Sequence, residues 1–403
     1  MAFLVQKYGG TSVATPERIR AVAQWIARTH AEGHRLVVVV SAMGQSTDEL
    51  LKLAHEVSAD PPHREVDMLL TTGERISMAL LSMALSDLGV PAISLTGSQS
   101  GIITDTHHRR ARILRITGQR IQSGLDHGQV VIVAGFQGVS ETKEITTLGR
   151  GGSDTTAVAL AIALKADACE IYTDVDGVYS ADPRSVPEAR FLSDVPYDLM
   201  CELAQRGAGV LHSRCVYLAR KYRMPVRVLN SLGLPEPAAP GTWVRDPNGG
   251  SKVETGKITA VTADAGRVLC RVNLARPTLT GTVWDTLAEM GVTPLAPFFQ
   301  DNHVSFFLGE EWVKECEGRF KKLTADGFLK DYLFDTGLAP LSVVGEGVTQ
   351  DPVLLSRIFE VLGRENIPAS MGVLSGLALT LAVPALKAEE GVKILHKLLV
   401  EGA

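Results

Sequence analysis

Three glycines, an arginine, a serine and an aspartate are packed into GRGGSD, residues 149–154, directly before the apolar run TTAVALA. The first N–H groups of a helix lack internal partners and sit at the positive end of its dipole. Gly149, Gly151 and Gly152 would therefore let an anion approach bare backbone. An isolated cluster of this kind is equally an ordinary tight turn with Ser153 or Asp154 as N-cap, so its neighbours have to decide. KYGGTSV at 7–13 supplies a second such loop, in which Lys7, Gly9, Gly10, Thr11 and Ser12 precede the helix-start signal Thr15–Pro16. A lysine beside open amides balances the negative charge of a phosphoryl group in transfer. Neither loop is a GxxxxGK[ST] or GxGxxG fingerprint, because Asp154 stands where the last glycine of the latter belongs.

Three further segments add polar groups of the right kind. VSAMGQSTDELL at 40–51 places Ser41, Ala42, Gly44 and Thr47 after a β-rich run, where an ordinary capped β-α turn is the plain alternative. TTGERIS at 71–77 puts Gly73 inside a helical pattern, a sign of a break or a close approach, with Glu74 beside it as a candidate holder of a substrate ammonium or else a solvated surface carboxylate. YTDVDGVYSADPR at 172–184 lacks the D-x-D-x-D-G spacing of a calcium loop. It reads instead as a loop wrapping a nucleotide, with Tyr179 against the base and Arg184 near the phosphates.

The elements that must position these groups alternate. FLVQ, RLVVVVS, PAISL, VVIVAGF and CEIYT read as buried strands, separated by helical patterns such as TPERIRAVAQWIA. This alternation predicts an α/β fold, a mainly parallel central sheet covered on both faces in a three-layer sandwich, with ligands at the carboxyl ends of its strands. Pro, Gly and polar residues crowd into 230–257, a linker or domain edge. Beyond it, two βαββα-like units about 70 residues apart predict a tandem of small ferredoxin-like α+β modules. The domains are thus expected at 1–245 and 258–403, the latter in units of about 262–335 and 336–403.

A length of 403 residues suits two or three domains. With 40 basic against 45 acidic side chains, a net charge of −5 and no basic stripe, nucleic acid is not an expected partner. Five cysteines without a CxxC pair fit a reducing compartment and no zinc site. MAFLVQKYGG has no basic leader, and no apolar stretch is long enough to span a membrane, so the expected location is the cytoplasm. His107, His108 and His212 form no ligand pattern and read as surface or packing residues.

KYGGTSV, VVVVSAMG, TTGERIS, AGFQGV, TTLGRGGSDTTAVALA and IYTDVDGVYSADPR stand in this order, and together they resemble the aspartokinases of the amino acid kinase family. The resemblance spans essentially the whole chain. It implies ATP- and Mg²⁺-dependent phosphorylation of the side-chain carboxylate of L-aspartate to 4-phospho-L-aspartate. It further implies that Lys7, Asp154 and Arg150 are catalytic, Lys7 supporting the migrating phosphoryl group and Asp154 organising the phosphate-binding groups and Mg²⁺. Ser41, Thr47, Glu74, Gly135, Arg150 and Ser153 would bind substrate, Arg150 at the α-carboxylate and Glu74 at the ammonium. Lys7, Gly9, Gly10, Thr11, Ser12, Ser41, Ala42, Thr173, Asp174, Tyr179, Asp182 and Arg184 would bind nucleotide, without a dedicated set of metal ligands. The tail resembles paired ACT modules that bind lysine or threonine, and it implies a homodimer or higher homo-oligomer through them.

Two departures stand out. GAGVLHSR puts Gly209 where the family usually has a lysine reaching the terminal phosphates, with Arg206 and Arg214 as nearby substitutes. ARPT at 275–278, FFQDN at 298–302 and MGVLSGLALT at 371–380 have drifted from the effector-facing motifs of the family, implying weakened or altered feedback. A kinase for another amino dicarboxylate and a non-catalytic amino-acid-sensing subunit remain as alternatives.

Overall fold

Leu36–Val40 is a run of five apolar residues, the pattern of a strand buried on both faces, and all five are fully buried within the strand Arg35–Val40. The computed structural model describes residues 1–236, 240–246 and 258–401. These fall into two compact units, one of residues 1–178, 192–200 and 209–246, the other of 179–191, 201–208 and 258–401. Parts of the segment read as a linker, 237–239 and 247–257, lie outside the described residues.

The first unit is built on an eight-stranded sheet. Its strands are β1 (Phe3–Tyr8), β2 (Arg35–Val40), β3 (Ala92–Leu95), β4 (Val130–Ala134), β5 (Ala168–Thr173), β6 (Asp194–Val195), β7 (Val226–Asn230) and β8 (Thr242–Val244), in the order β6-β8-β7-β5-β1-β2-β4-β3. The five runs read as strands are β1 to β5. Pairing is parallel from β7 through β3, and β8 enters antiparallel to β7. A second, four-stranded sheet (Ile102–Thr104, Ile113–Ile116, Gln137–Ser140, Ile145–Thr147) has no counterpart among the expected strands. Its strands are three or four residues long, too short for alternation to register.

Helix α1 (Pro16–Ala31) starts where Thr15 accepts the Arg18 N–H and Pro16 occupies the first turn, and it buries Ile19, Val22, Ala23 and Ile26. Helix α2 (Ser46–Val57) buries none of its residues. Helix α3 (His63–Asp87) runs unbroken through Gly73, so that glycine marks a close approach rather than a break: a Cβ there would stand 2.7 Å from Ala42 Cβ. Helix α4 (Gly152–Leu164) buries most of its length, as expected of an apolar sequence with no polar face. Helix α5 (Ser213–Tyr222) follows the GAGVLH segment.

The second unit holds two antiparallel four-stranded sheets. Strands β10 (Arg267–Leu274), β11 (Leu295–Gln300), β12 (His303–Gly309) and β13 (Leu329–Asp335) pair as β11-β12-β10-β13, with helices Thr280–Met290 and Val313–Ala325 between them. Strands β14 (Leu338–Gly345), β15 (Met371–Ser375) and β16 (Ala378–Pro384) form the other sheet with Pro352–Arg364 and Ala388–His396. Its fourth strand is β9 (Ile258–Ala263), which skips the module that follows it and pairs antiparallel with β14. Strand β9 thus fills in the second module the place that β13 fills in the first. A buried cluster of Val261, Leu341, Val343, Leu381, Val392 and Leu395 packs this second module. The five cysteines are buried thiols.

Candidate active site

Strands β5, β1, β2 and β4 are parallel neighbours, so their carboxyl ends come out along one edge of the sheet. The sequence after each end carries the groups singled out above. Lys7 lies in β1, Ser41 and Ala42 follow β2, Gly135 follows β4, and Thr173 closes β5. Backbone bonds tie the four ends together: Gly9 N–H donates to Tyr172 O, Ser41 N–H to Tyr8 O, Gly135 N–H to Val40 O, and Gly44 N–H to Gly10 O. Gly10 leaves no spare room, since a Cβ would meet Ala42 O and Gly44 O, each at 3.1 Å. Ser12 is buried and donates to Ser231 Oγ at 2.7 Å, which makes it a strut of the loop in this structure. Thr11 opens the short 3-10 turn beside it, and Thr47 lies in the first turn of α2.

Lys7 Nζ stands 2.6 Å from Asp154 Oδ1, joining the two glycine loops. Their side chains are only 11% and 13% exposed, so the pair is desolvated yet open on one side. Gly149 and Gly151 have φ of +77° and +65°, a conformation for which glycine is the natural residue. No side chain caps the N-terminus of α4; of its first amides, that of Gly152 donates to Gly149 O at 3.0 Å. Ser153 is buried against Gly135, where a Cβ would stand 2.7 Å from the serine Oγ. Arg150 projects from this loop and is exposed.

Glu74 shows what the close approach at Gly73 achieves. With α3 drawn against Ala42, one oxygen, Oε1, accepts the Ala42 N–H at 3.3 Å. The carboxylate is 3% exposed, and Oε2 is buried without a hydrogen-bond partner. Burial pushes its pKa up to about 7, opposed by the bonds from its own N–H and that of Ala42. A half-satisfied buried carboxylate is costly, and a bound cation would relieve it.

Asp67, about two turns before Glu74, was not singled out in the sequence, although an aspartate on the inward stripe of α3 is the signal. It is fully buried and accepts from the Arg109 N–H at 3.0 Å, the Thr147 N–H at 3.1 Å and Thr147 Oγ1 at 2.6 Å, with His108 Nδ1 at 2.8 Å. It therefore anchors the strand that leads into GRGGSD, and His108 has a partner that the sequence did not reveal.

The two substitutes considered for a lysine at 209 are committed elsewhere. Arg206 is buried in the second unit, donating to Thr380 Oγ1 at 3.1 Å and Ser375 Oγ at 2.7 Å and pairing with Glu202. Arg214 donates to the carbonyls of Leu148 and Ala111, both at 2.9 Å. Gly209 itself has φ +65°, so local backbone geometry favours glycine there. Within the 172–184 loop, Thr173 and Asp174 belong to the first unit, with Thr173 donating to Asp174 at 3.1 Å. Tyr179, Asp182 and Arg184 belong to the second. There Tyr179 meets Phe191 edge-on at 5.4 Å, and Arg184 pairs with Asp182 at 2.7 Å.

A model of the amino acid kinase family matches residues 2–230. The aspartokinase of Mycolicibacterium smegmatis is 41% identical, across 98% of this chain and 96% of its own length. That of Geobacillus stearothermophilus is 42% identical over 98% and 97%. Among solved structures, Escherichia coli aspartokinase III in complex with aspartate and ADP superposes with a TM-score of 0.84 at 24% identity, covering 98% of this chain and 99% of the other.

Proposed function

Because this chain belongs to the aspartokinases of the amino acid kinase family, we propose that the edge formed by β5, β1, β2 and β4 transfers the γ-phosphoryl group of ATP to the side-chain carboxylate of L-aspartate. The observation that carries this reading is the meeting of two features at the ends of the adjacent strands β1 and β2: a desolvated Lys7–Asp154 pair between two glycine loops, and, on α3 against Ala42, a buried Glu74 oxygen in want of a cation. Escherichia coli aspartokinase III, a structural neighbour, was solved in complex with aspartate and ADP.

The acceptor carboxylate is ionised at neutral pH, its ordinary pKa being about 3.9, so no general base is required. One of its oxygens attacks the γ-phosphorus, the new O–P bond forms as the bond to the β-phosphate oxygen breaks, and that oxygen leaves on ADP. Lys7 offsets charge on the migrating group, and Asp154 keeps the ammonium directed there. Glu74 takes the substrate ammonium on Oε2, and the guanidinium of Arg150 grips the α-carboxylate. Gly9, Gly10 and the uncapped start of α4 receive nucleotide phosphates.

Mg²⁺ fits this donor set. Among the described residues no group of three or more His, Cys, Asp or Glu side chains could hold a metal ion, and magnesium is ordinarily held by one or two carboxylates plus substrate phosphates. Asp154 is the carboxylate that would hold it, and the ion would neutralise phosphate oxygens.

Retention of ADP release with aspartate, and not with glutamate or substituted aspartates, tests the assignment, with Lys7→Ala as control. Preference for another dicarboxylate would move the substrate, and silence across the panel would favour a sensing subunit. We further infer a homo-oligomer associated through the C-terminal modules and weakened or altered feedback, because Phe298 and Phe299 present 40% and 50% exposed aromatic surface on β11 within the drifted FFQDN segment. Strong inhibition in a dose series of lysine, threonine or both would refute the feedback reading, and a monomer by light scattering the association.

A further inference from the structure

The loop that carries Arg150 is gripped at both ends from the start of α5. At one end Arg214 holds Leu148 O, together with Ala111 O of the neighbouring segment. At the other lies His212, the residue before α5. A Cβ on Gly151 would stand 2.2 Å from His212 Cγ, 2.3 Å from its Cβ and 2.6 Å from Cδ2, so imidazole and glycine backbone are in direct contact. The ring is fixed from behind. Its Nδ1 accepts the Arg214 N–H at 3.3 Å, capping α5, and in the neutral imidazole this leaves the proton on Nε2. Burial holds the His212 pKa below its usual value, with Arg214 and Arg150 acting in the same direction and Asp154 against them. The ring therefore sits neutral among the three charges that face it.

We propose that His212 is a positioning residue of the transfer reaction: its capped ring is the stop against which Gly151 rests, and that contact sets Arg150 and the first turn of α4 for substrate and phosphate. The inference rests on the functional reading above. A ring that fills the space a side chain at 151 would need couples the two residues sterically, and misplacing a substrate-orienting loop by an ångström is enough to slow transfer.

His212→Gly separates the two roles, since glycine is a favoured N-cap yet, lacking the Cβ and Cγ that stand nearest, leaves the space over Gly151 open. The expected result is a thermal midpoint within about 2 °C of wild type, with kcat/KM for aspartate down by about tenfold or more through both a lower kcat and a higher KM. In a cycle of Gly151→Ala and His212→Gly, the double variant should lose less activity than the product of the single losses, by about fivefold or more, because removing the whole side chain at 212 relieves the clash. Kinetic constants of His212→Gly within about twofold of wild type, or strictly multiplicative losses in the cycle, would overturn the inference. An inactive wild type overturns the functional reading and this inference with it, whereas an active wild type beside an unaffected His212→Gly overturns this inference alone.

Discussion

Each unit buries a charged side chain, and the two are treated in opposite ways. In the second, Arg206 is 5% exposed and its guanidinium is divided among Glu202, Ser375 and Thr380, while its carbonyl accepts from Thr262 at 2.8 Å. In the first, Glu74 is 3% exposed and keeps Oε2 without a hydrogen-bond partner. Burial without a partner costs stability that packing alone does not recover, so it persists where a ligand supplies the missing contact. Arg206 ties strands to their neighbours, whereas Glu74 keeps an oxygen that the function proposed above assigns to the substrate ammonium.

Lys7 gives the largest expected effect and the sharpest form of the contrast. Lys7→Ala should lower kcat by about 10²–10³-fold, the usual loss on removing one donor to a developing charge, with the far-UV spectrum unchanged. A loss below tenfold would mean that the Lys7–Asp154 pair is only structural. Arg206→Ala should do the reverse, leaving catalytic constants of the folded protein near wild type while removing one partner of a buried ion pair. That loss is expected to destabilise the second unit by about 3 kcal/mol, read from a urea midpoint. An unchanged midpoint would break the comparison from the structural side.

Glu74→Gln should raise the aspartate KM by about 10- to 100-fold, the worth of a charge-assisted hydrogen bond, while making the ligand-free protein more stable at pH 8. The sign follows from the raised pKa. A carboxyl group that titrates near 7 when folded and near 4.5 when free binds its proton more tightly in the native state, so ionisation costs stability. That cost is absent below about pH 4.5, grows as pH rises and is fully expressed above pH 7, where it reaches roughly 3 kcal/mol for a group this buried. Removing the charge recovers much of it. Wild-type aspartate KM should likewise rise as pH falls below 7, because the protonated acid cannot pair with an ammonium. A variant no more stable than wild type at pH 8 would show that Glu74 already has an adequate partner.

The strands of the central sheet were legible because a strand buried on both faces leaves a continuous apolar run, as in LVVVV. The glycine loops were legible because left-handed backbone leaves Gly at Gly149 and Gly151. The small sheet of 102–147 was not, its strands being too short to show a period. Asp67 was passed over and His212 was read as a surface or packing residue because each is a lone polar residue in sequence: the partners of Asp67 lie 41 or more positions away, and Gly151 lies 61 positions from His212. The fourth strand of the second module was hidden for a related reason: β9 is as apolar as a strand should be, and nothing in ITAVTA names the sheet it joins.

The sequence by itself determined which residues bear charge, where backbone must turn left-handed and which runs must leave water, since these depend on side-chain chemistry and spacing of a few residues. Only the tertiary structure decided which of the buried charges are satisfied. It directed Arg206 and Arg214 to protein acceptors, set His212 against Gly151 and left one oxygen of Glu74 without a partner. Solvation of a charge depends on atoms brought to it from distant parts of the chain, and that assembly exists only once the chain has folded.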